Sequence, residues 1–276
     1  MDFSNKEVLQ VNGKIRYICF KELSEYKDLV HAYTVDNNYS FRTDMFNSSN
    51  SLSSLEYQKS SDNYKILCQD LGIDYKNIVK VNQEHTANIV VIKDKKNKDS
   101  WSVNNEDYRN VDGLITNQKN VVLTTVSADC IILFMFDPVK KVIANIHSGW
   151  RGTLEEIGIK ALKIMHKEFD CNFKDIKILF NPSILGDCFE VLYDVKEKFY
   201  GKFKYLDNIE KIIKTKNGKW IIDTVLLNKT LFLNIGVKES NLICSNICTK
   251  CNKSYMHSYR GSMGQGGLNT ALIMLI

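Results

Sequence analysis

Apolar and polar positions alternate between two periods along the chain. Residues 89–92, 113–116, 121–126, 130–136 and 141–146 are short and rich in apolar and β-branched side chains, and polar residues bound most of them, which predicts strands. Asp137-Pro138 separates two of these runs by a turn, so 130–136 and 141–146 read as an antiparallel hairpin. The period then lengthens. Leu154, Ile157, Ala161, Leu162, Met165 and Phe169 recur at helical spacing, and Thr153 with Glu156 has the form of a capping box at the helix start. A strand at 176–180 follows, then helices at 194–203 and 224–234, the second closed by Gly236. Interleaved helices and strands with a hairpin predict an α/β (α+β) chain with mixed β-sheets. Asn/Ser-rich residues 47–54 read as a loop and 93–99 as a solvated turn.

Neither a repeat nor a Gly/Ser/Pro linker divides the 276 residues, so the whole chain, 1–276, is expected to form a single domain. Hydrophobic residues make up 44% and charged residues 25%, which excludes disorder and coiled coil. The net charge of +5 is spread along the chain and is too mild to indicate a nucleic-acid partner. No apolar run reaches the ~18–20 residues of a membrane span, and the first ten residues lack the layout of a secretory signal. A cytoplasmic protein without a membrane partner is predicted, and its eight cysteines are expected to be thiols and ligands rather than disulfides.

Candidate chemistry gathers at the predicted strand ends. His85 precedes one strand, Cys130 opens the most apolar one, and His147 ends another. Brought together, they form a His/Cys/His set of the kind zinc takes in catalytic sites, with a fourth position left open. The same residues also suit a cysteine nucleophile, with Cys130 attacking and His147 or His85 as base, in a hydrolase or deamidase. After His147 come Ser148-Gly149-Trp150-Arg151-Gly152, two glycines at a strand-to-helix turn. There Arg151 either clamps an anion beside free helix N–H groups or lies exposed on a structural turn. Cys244, Cys248 and Cys251 imitate a cluster motif, but a strand of small buried thiols is the simpler account.

Gln83-Glu84-His85, Asp112-Gly113-Leu114-Ile115-Thr116, Ala128-Asp129-Cys130 and His147-Ser148-Gly149-Trp150-Arg151-Gly152 occur in this order. Asn181-Pro182-Ser183-Ile184, Cys188-Phe189-Glu190-Val191, Cys248-Thr249 and Ser258-Tyr259-Arg260 follow. From about residue 81 onward this pattern resembles the YfiH/YlmD family, labelled polyphenol oxidase (laccase) and associated with purine nucleoside phosphorylase activity. The sequence departs from the family pattern at Glu84, Gly261 and Leu268. The resemblance implies one domain with sheets layered between helices and a zinc ion on His85, Cys130 and His147. It further implies phosphorolysis of adenosine, inosine and methylthioadenosine, with adenosine deamination alongside, so that purine nucleosides and phosphate are the partners. Within that reading Cys130, His147, Asp129 and Arg151 are the candidate catalytic residues, and Gln83, Arg151 and Arg260 the candidate substrate contacts. An extended Ala128–Cys130 would turn Asp129 and Cys130 to opposite faces, which weighs against Asp129 as a proton carrier and leaves it to orient a histidine.

Five histidines are too few for the electron chemistry of a multicopper laccase, whereas zinc suits a mixed imidazole and thiolate set. A non-catalytic binding domain has no evident need for polar residues at three strand ends. His31 and His166 read as structural, and Trp101 and Trp220 take no assigned role.

Overall fold

The computed structural model describes residues 6–11, 13–42, 54–93 and 108–276. Trp101, and nearly all of the expected loop at 47–54 and turn at 93–99, lie outside the described residues.

Two six-stranded sheets face each other. The first runs Glu7–Gln10, Tyr17–Phe20, Leu29–Thr34, Asn269–Leu275, Val122–Ser127, Ile78–Lys80 across its width. The second runs Leu242–Cys244, Lys177–Phe180, Ile131–Asp137, Val142–Ser148, Gly113–Thr116, Ile89–Ile92. Both are mixed, since each contains parallel and antiparallel neighbours. A small third sheet, of Glu190–Val191, Lys219–Ile222 and Ile213–Lys216, stands apart.

The run at 130–136 is apolar throughout because its strand is buried on both faces. Ile131, Leu133 and Met135 pack with Ile157, Leu162 and Phe232 from the helices Ile157–Phe169 and Thr224–Asn234. The alternate residues Ile132, Phe134 and Phe136 join Leu123, Ala271 and Ile273 of the first sheet. On that sheet's far side Leu272 and Met274 pack with Tyr64, Leu67 and Cys68 of the helix Ser54–Leu71. The order is therefore helix, sheet, sheet, helices, the layering the resemblance implied. Between the sheets Asn145 is fully buried, and its amide accepts from Thr125 Oγ1 at 2.6 Å and donates to Leu123 O and Ala271 O at 2.9 Å. That satisfied polar link fixes how one sheet lies over the other.

The expected strands occur with ends shifted by a residue or two, as do the helices near 194–203 and 224–234, whereas every strand of the first sheet except Val122–Ser127, and the helix Ser54–Leu71, was not foreseen. The hairpin is present, with Ile131 opposite Ser148 and Ile132 opposite His147. The capping box is not. Thr153 is buried, with its hydroxyl 2.9 Å from Ser148 Oγ, and a short helix Trp150–Leu154 ends before Glu156. Glu156 adopts φ 57°, a left-handed residue that separates this helix from Ile157–Phe169. One predicted helix is thus two, and Gly149 caps the first of them.

Candidate active site

The hairpin brings its two open ends to one edge of the second sheet. Cys130 lies just before Ile131–Asp137, and His147 is the penultimate residue of Val142–Ser148. His85 arrives from the connection between Ile78–Lys80 and Ile89–Ile92. Ligand atoms of His85, Cys130 and His147 all lie within 4.8 Å of one another, with Cys130 Sγ and His85 Nε2 3.9 Å apart. Ligands about 2.0–2.3 Å from a tetrahedral ion stand roughly 3.3–3.8 Å from each other, so a small contraction would let all three reach one metal.

One buried carboxylate organises two of these ligands. Asp112 Oδ1 accepts from His147 Nδ1 at 2.7 Å and from the backbone N–H of His85 at 3.1 Å. Its Oδ2 accepts from the N–H groups of Glu84 and Thr86, at 3.3 and 2.7 Å, and from Thr86 Oγ1 at 2.7 Å. His85 has φ 59°, a left-handed conformation that costs a non-glycine residue about 1–2 kcal/mol. Three successive N–H groups converging on one carboxylate hold it there. Burial alone would raise the pKa of Asp112, but the hydrogen bonds from His147 and Thr86 outweigh it and keep the group ionised. An ionised acceptor keeps a proton on His147 Nδ1, so Nε2 is the ring nitrogen left to meet Cys130 and, once it gives up its own proton, to take a metal. This role of Asp112 escaped the sequence reading, although the residue opens one of the family motifs.

Gly149 gives the ligands room. A Cβ there would lie 2.8 Å from the His85 ring and 3.2 Å from Cys130 Sγ, so only glycine lets the turn pass this close.

The thiol is strongly polarised. Burial would push Cys130 up, yet hydrogen bonding and charge from His147 and His85 pull it down to about 6. Burial likewise opposes the charged form of His147, but Asp112 and Cys130 raise it to about 9. Between those values the metal-free pair is thiolate and imidazolium. The rate of Cys130 alkylation by iodoacetamide is therefore expected to rise through about pH 6 and then level off, where an ordinary thiol would rise near 9. Site-resolved mass spectrometry reads the profile, and zinc is expected to suppress the reaction.

A cavity of about 660 Å³ opens above the three residues. Arg42, Arg151 and Arg260 line it, together with Trp150, Phe189 and Tyr259. The Arg151 guanidinium stacks 4.3 Å from the Trp150 ring centroid, so exposure and a place on the cavity wall coexist. Arg260 is held from both ends. Its N–H donates to Asp129 Oδ2 at 2.6 Å and its Nη1 to Glu190 O at 3.0 Å. Gln83 also lines the cavity, where its amide donates to Val126 O at 2.8 Å and accepts from Val126 N at 2.7 Å. Arg42 carries no motif and was missed.

Two expectations need correction. Residues 128–130 form a bend and Asp129 has φ 94°, so the alternation argument for Asp129 does not apply. Its carboxylate also accepts from Thr249 Oγ1 and Ser258 Oγ at 2.5 and 2.6 Å. With Arg260 N that makes three donors, which suits an anchor for the loop that carries Arg260 rather than a proton carrier or an orienter of histidine. Nor do Cys244, Cys248 and Cys251 share a strand. Cys244 ends Leu242–Cys244, while the other two lie in a turn beyond it. All eight cysteines are free. His31 is buried and accepts from Phe20 N at 2.7 Å, whereas His166 is exposed and sits 2.8 Å from Cys171 O, as structural roles require.

The family described as multi-copper polyphenol oxidoreductase laccase matches residues 35–276. The chain belongs to this laccase family. Among its relatives, a purine nucleoside phosphorylase of Bacteroides thetaiotaomicron is 30% identical over 249 residues, covering 88% of this chain and 90% of the relative. The purine nucleoside phosphorylase YlmD of Bacillus subtilis is 31% identical over 158 residues, and the match spans 56% of this chain and 55% of YlmD. An adenosine deaminase, RL5, from an unknown prokaryotic organism is 28% identical over 194 residues, covering 70% of this chain and 73% of RL5. In three dimensions the YfiH protein of Bacillus licheniformis superposes with a TM-score of 0.83 over 99% of this chain and 100% of its own, at 23% identity, and so shares the fold. The laccase-family name sits beside a single His/Cys/His group. Among the described residues the other histidines take no part in any such group.

Proposed function

We propose that the chain is a zinc-dependent purine nucleoside phosphorylase acting on adenosine, inosine and methylthioadenosine, with adenosine deamination as a side activity. The observation that carries this reading is the His85/Cys130/His147 group beneath a nucleoside-sized cavity lined by three arginines. The names of the relatives support it. His85 Nε2, Cys130 Sγ and His147 Nε2 would hold the ion. Among the described residues no methionine lines the cavity, and a mixed imidazole and thiolate donor set suits zinc. Bound there, zinc supplies a Lewis acid that polarises the nucleoside or water it meets.

The chain's own residues do the rest. Phosphorolysis needs phosphate held beside the sugar C1′ while the base departs. Arg151, stiffened by Trp150, and Arg260, fixed at its backbone by Asp129, offer planar donor forks for that anion. Arg42 adds a third positive charge to the same wall. Trp150, Phe189 and Tyr259 supply flat apolar faces for a purine. Holding both reactants in one cavity removes much of the entropic barrier to their meeting.

Adenosine incubated with the zinc-loaded protein is expected to yield adenine and ribose 1-phosphate only when phosphate is present, with inosine reporting the deaminase activity. Failure to turn over adenosine, inosine or methylthioadenosine would sink the reading. A second reading rests on the thiolate–imidazolium pair, in which His147 has served as base by taking the proton of Cys130 and the thiolate acts as nucleophile. It requires no metal, so activity that survives complete chelation would favour it.

A further inference from the structure

The sequence groups Cys244, Cys248 and Cys251, but the fold brings together a different trio. The Sγ atoms of Cys188, Cys248 and Cys251 lie within 4.8 Å of one another, Cys188 and Cys251 at 3.5 Å. Cys248 and Cys251 stand three apart in a turn closed by Asn252, whose N and Nδ2 donate to Cys248 O at 3.1 and 2.9 Å. Cys188 ends the short helix Gly186–Cys188 on a second loop. Backbone contacts tie the two loops together, with Ser183 bridged to Cys248 and Thr249 N donating to Ser183 O at 3.0 Å.

A disulfide needs two sulfurs, whereas three convergent ones match three corners of a tetrahedral thiolate site. Cys248 is buried, Cys188 half-buried and Cys251 exposed, so the fourth corner is left to solvent. No imidazole or carboxylate among the described residues joins the group. An all-sulfur donor set disfavours magnesium, calcium and manganese, and a water-accessible fourth corner suits zinc.

We propose that Cys188, Cys248 and Cys251 bind a second zinc ion, separate from the His85/Cys130/His147 site, which clasps these two loops together. On binding, the three thiols release three protons, three Zn–S bonds form, and one water fills the remaining position. Nothing is oxidised or reduced. The inference rests on the sulfur geometry and not on the nucleoside reading.

The test is zinc content per chain after reduction, loading with zinc and desalting. The wild type is expected to hold two ions, Cys251→Ser one, Cys130→Ala one, and the double variant none. A wild type whose only zinc is lost in Cys130→Ala and kept in Cys251→Ser would overturn the proposal while leaving the first site intact. So would a zinc-loaded wild type with Cys188 and Cys251 joined as a disulfide, read as the loss of two hydrogens by mass. Cobalt(II) added to Cys130→Ala should give a thiolate-to-cobalt absorption band that disappears in both Cys188→Ser and Cys251→Ser backgrounds. Persistence of the band in both would also overturn it. Thermal melts of the metal-free variants check that folding is retained, and the exposed position of Cys251 makes its serine variant the better tolerated.

Discussion

Cys130→Ala is expected to weaken zinc binding at the first site roughly 10²–10³-fold and to abolish measurable nucleoside turnover. Structural zinc sites bind with about 10–16 kcal/mol, so one ligand among three or four accounts for about 3–4 kcal/mol. At 1.4 kcal/mol per decade that is two to three orders of magnitude in affinity. Titration against a chelator of known affinity reads the first effect, and a product assay at saturating zinc reads the second. The two readings of Cys130 separate in the wild type. If the thiol holds a metal, chelation removes activity and added zinc restores it. If the thiol attacks substrate, chelation leaves the rate unchanged. Undiminished zinc affinity in Cys130→Ala would remove this residue from the ligand set.

Asp112→Asn is expected to lower zinc affinity about 10–100-fold, the usual cost of losing the partner of a metal-bound histidine. It should also destabilise the metal-free protein by roughly 3–5 kcal/mol, as loss of one member of a buried ion pair does. The carboxylate is fully buried and accepts five hydrogen bonds. An amide offers one acceptor oxygen where there were two, and its NH₂ group opposes N–H donors. His147 then loses the partner that fixes its tautomer, and His85 loses the contacts that hold its left-handed turn. Urea unfolding and zinc titration measure the two effects separately. A variant with normal stability and normal zinc affinity would show that the ligands are positioned by other contacts.

The sequence pattern reached the elements whose burial is simple. The run at 130–136 announces a strand covered on both faces, and Gly236, at φ 100°, stops a helix as its position suggested. The three candidate metal ligands were legible because each stands in or beside a motif, Cys130 and His147 at strand ends and His85 in the connection before Ile89–Ile92. Asp112 was not, since its importance lies in contacts with residues 26 to 35 positions away along the chain. The extended geometry considered for Asp129 fails for a related reason: its left-handed φ and its three donors belong to a loop arrangement that only the fold brings together. The cysteine trio shows the same limit. Adjacent spacing suggested Cys244, while the fold substitutes Cys188 from 63 positions before Cys251.

The strand Asn269–Leu275 occupies an interior slot of the first sheet, between Leu29–Thr34 and Val122–Ser127. During synthesis this has a temporal consequence. The second sheet has all its strands once residue 244 has left the ribosome, so the half of the molecule bearing Cys130 and His147 can assemble on the nascent chain. The first sheet cannot. Until the last strand emerges, two interior edges stay open, each with unpaired backbone groups that invite another chain. The candidate metal ligands are thus translated before the strand that completes the first sheet, and its open edges persist through the interval between.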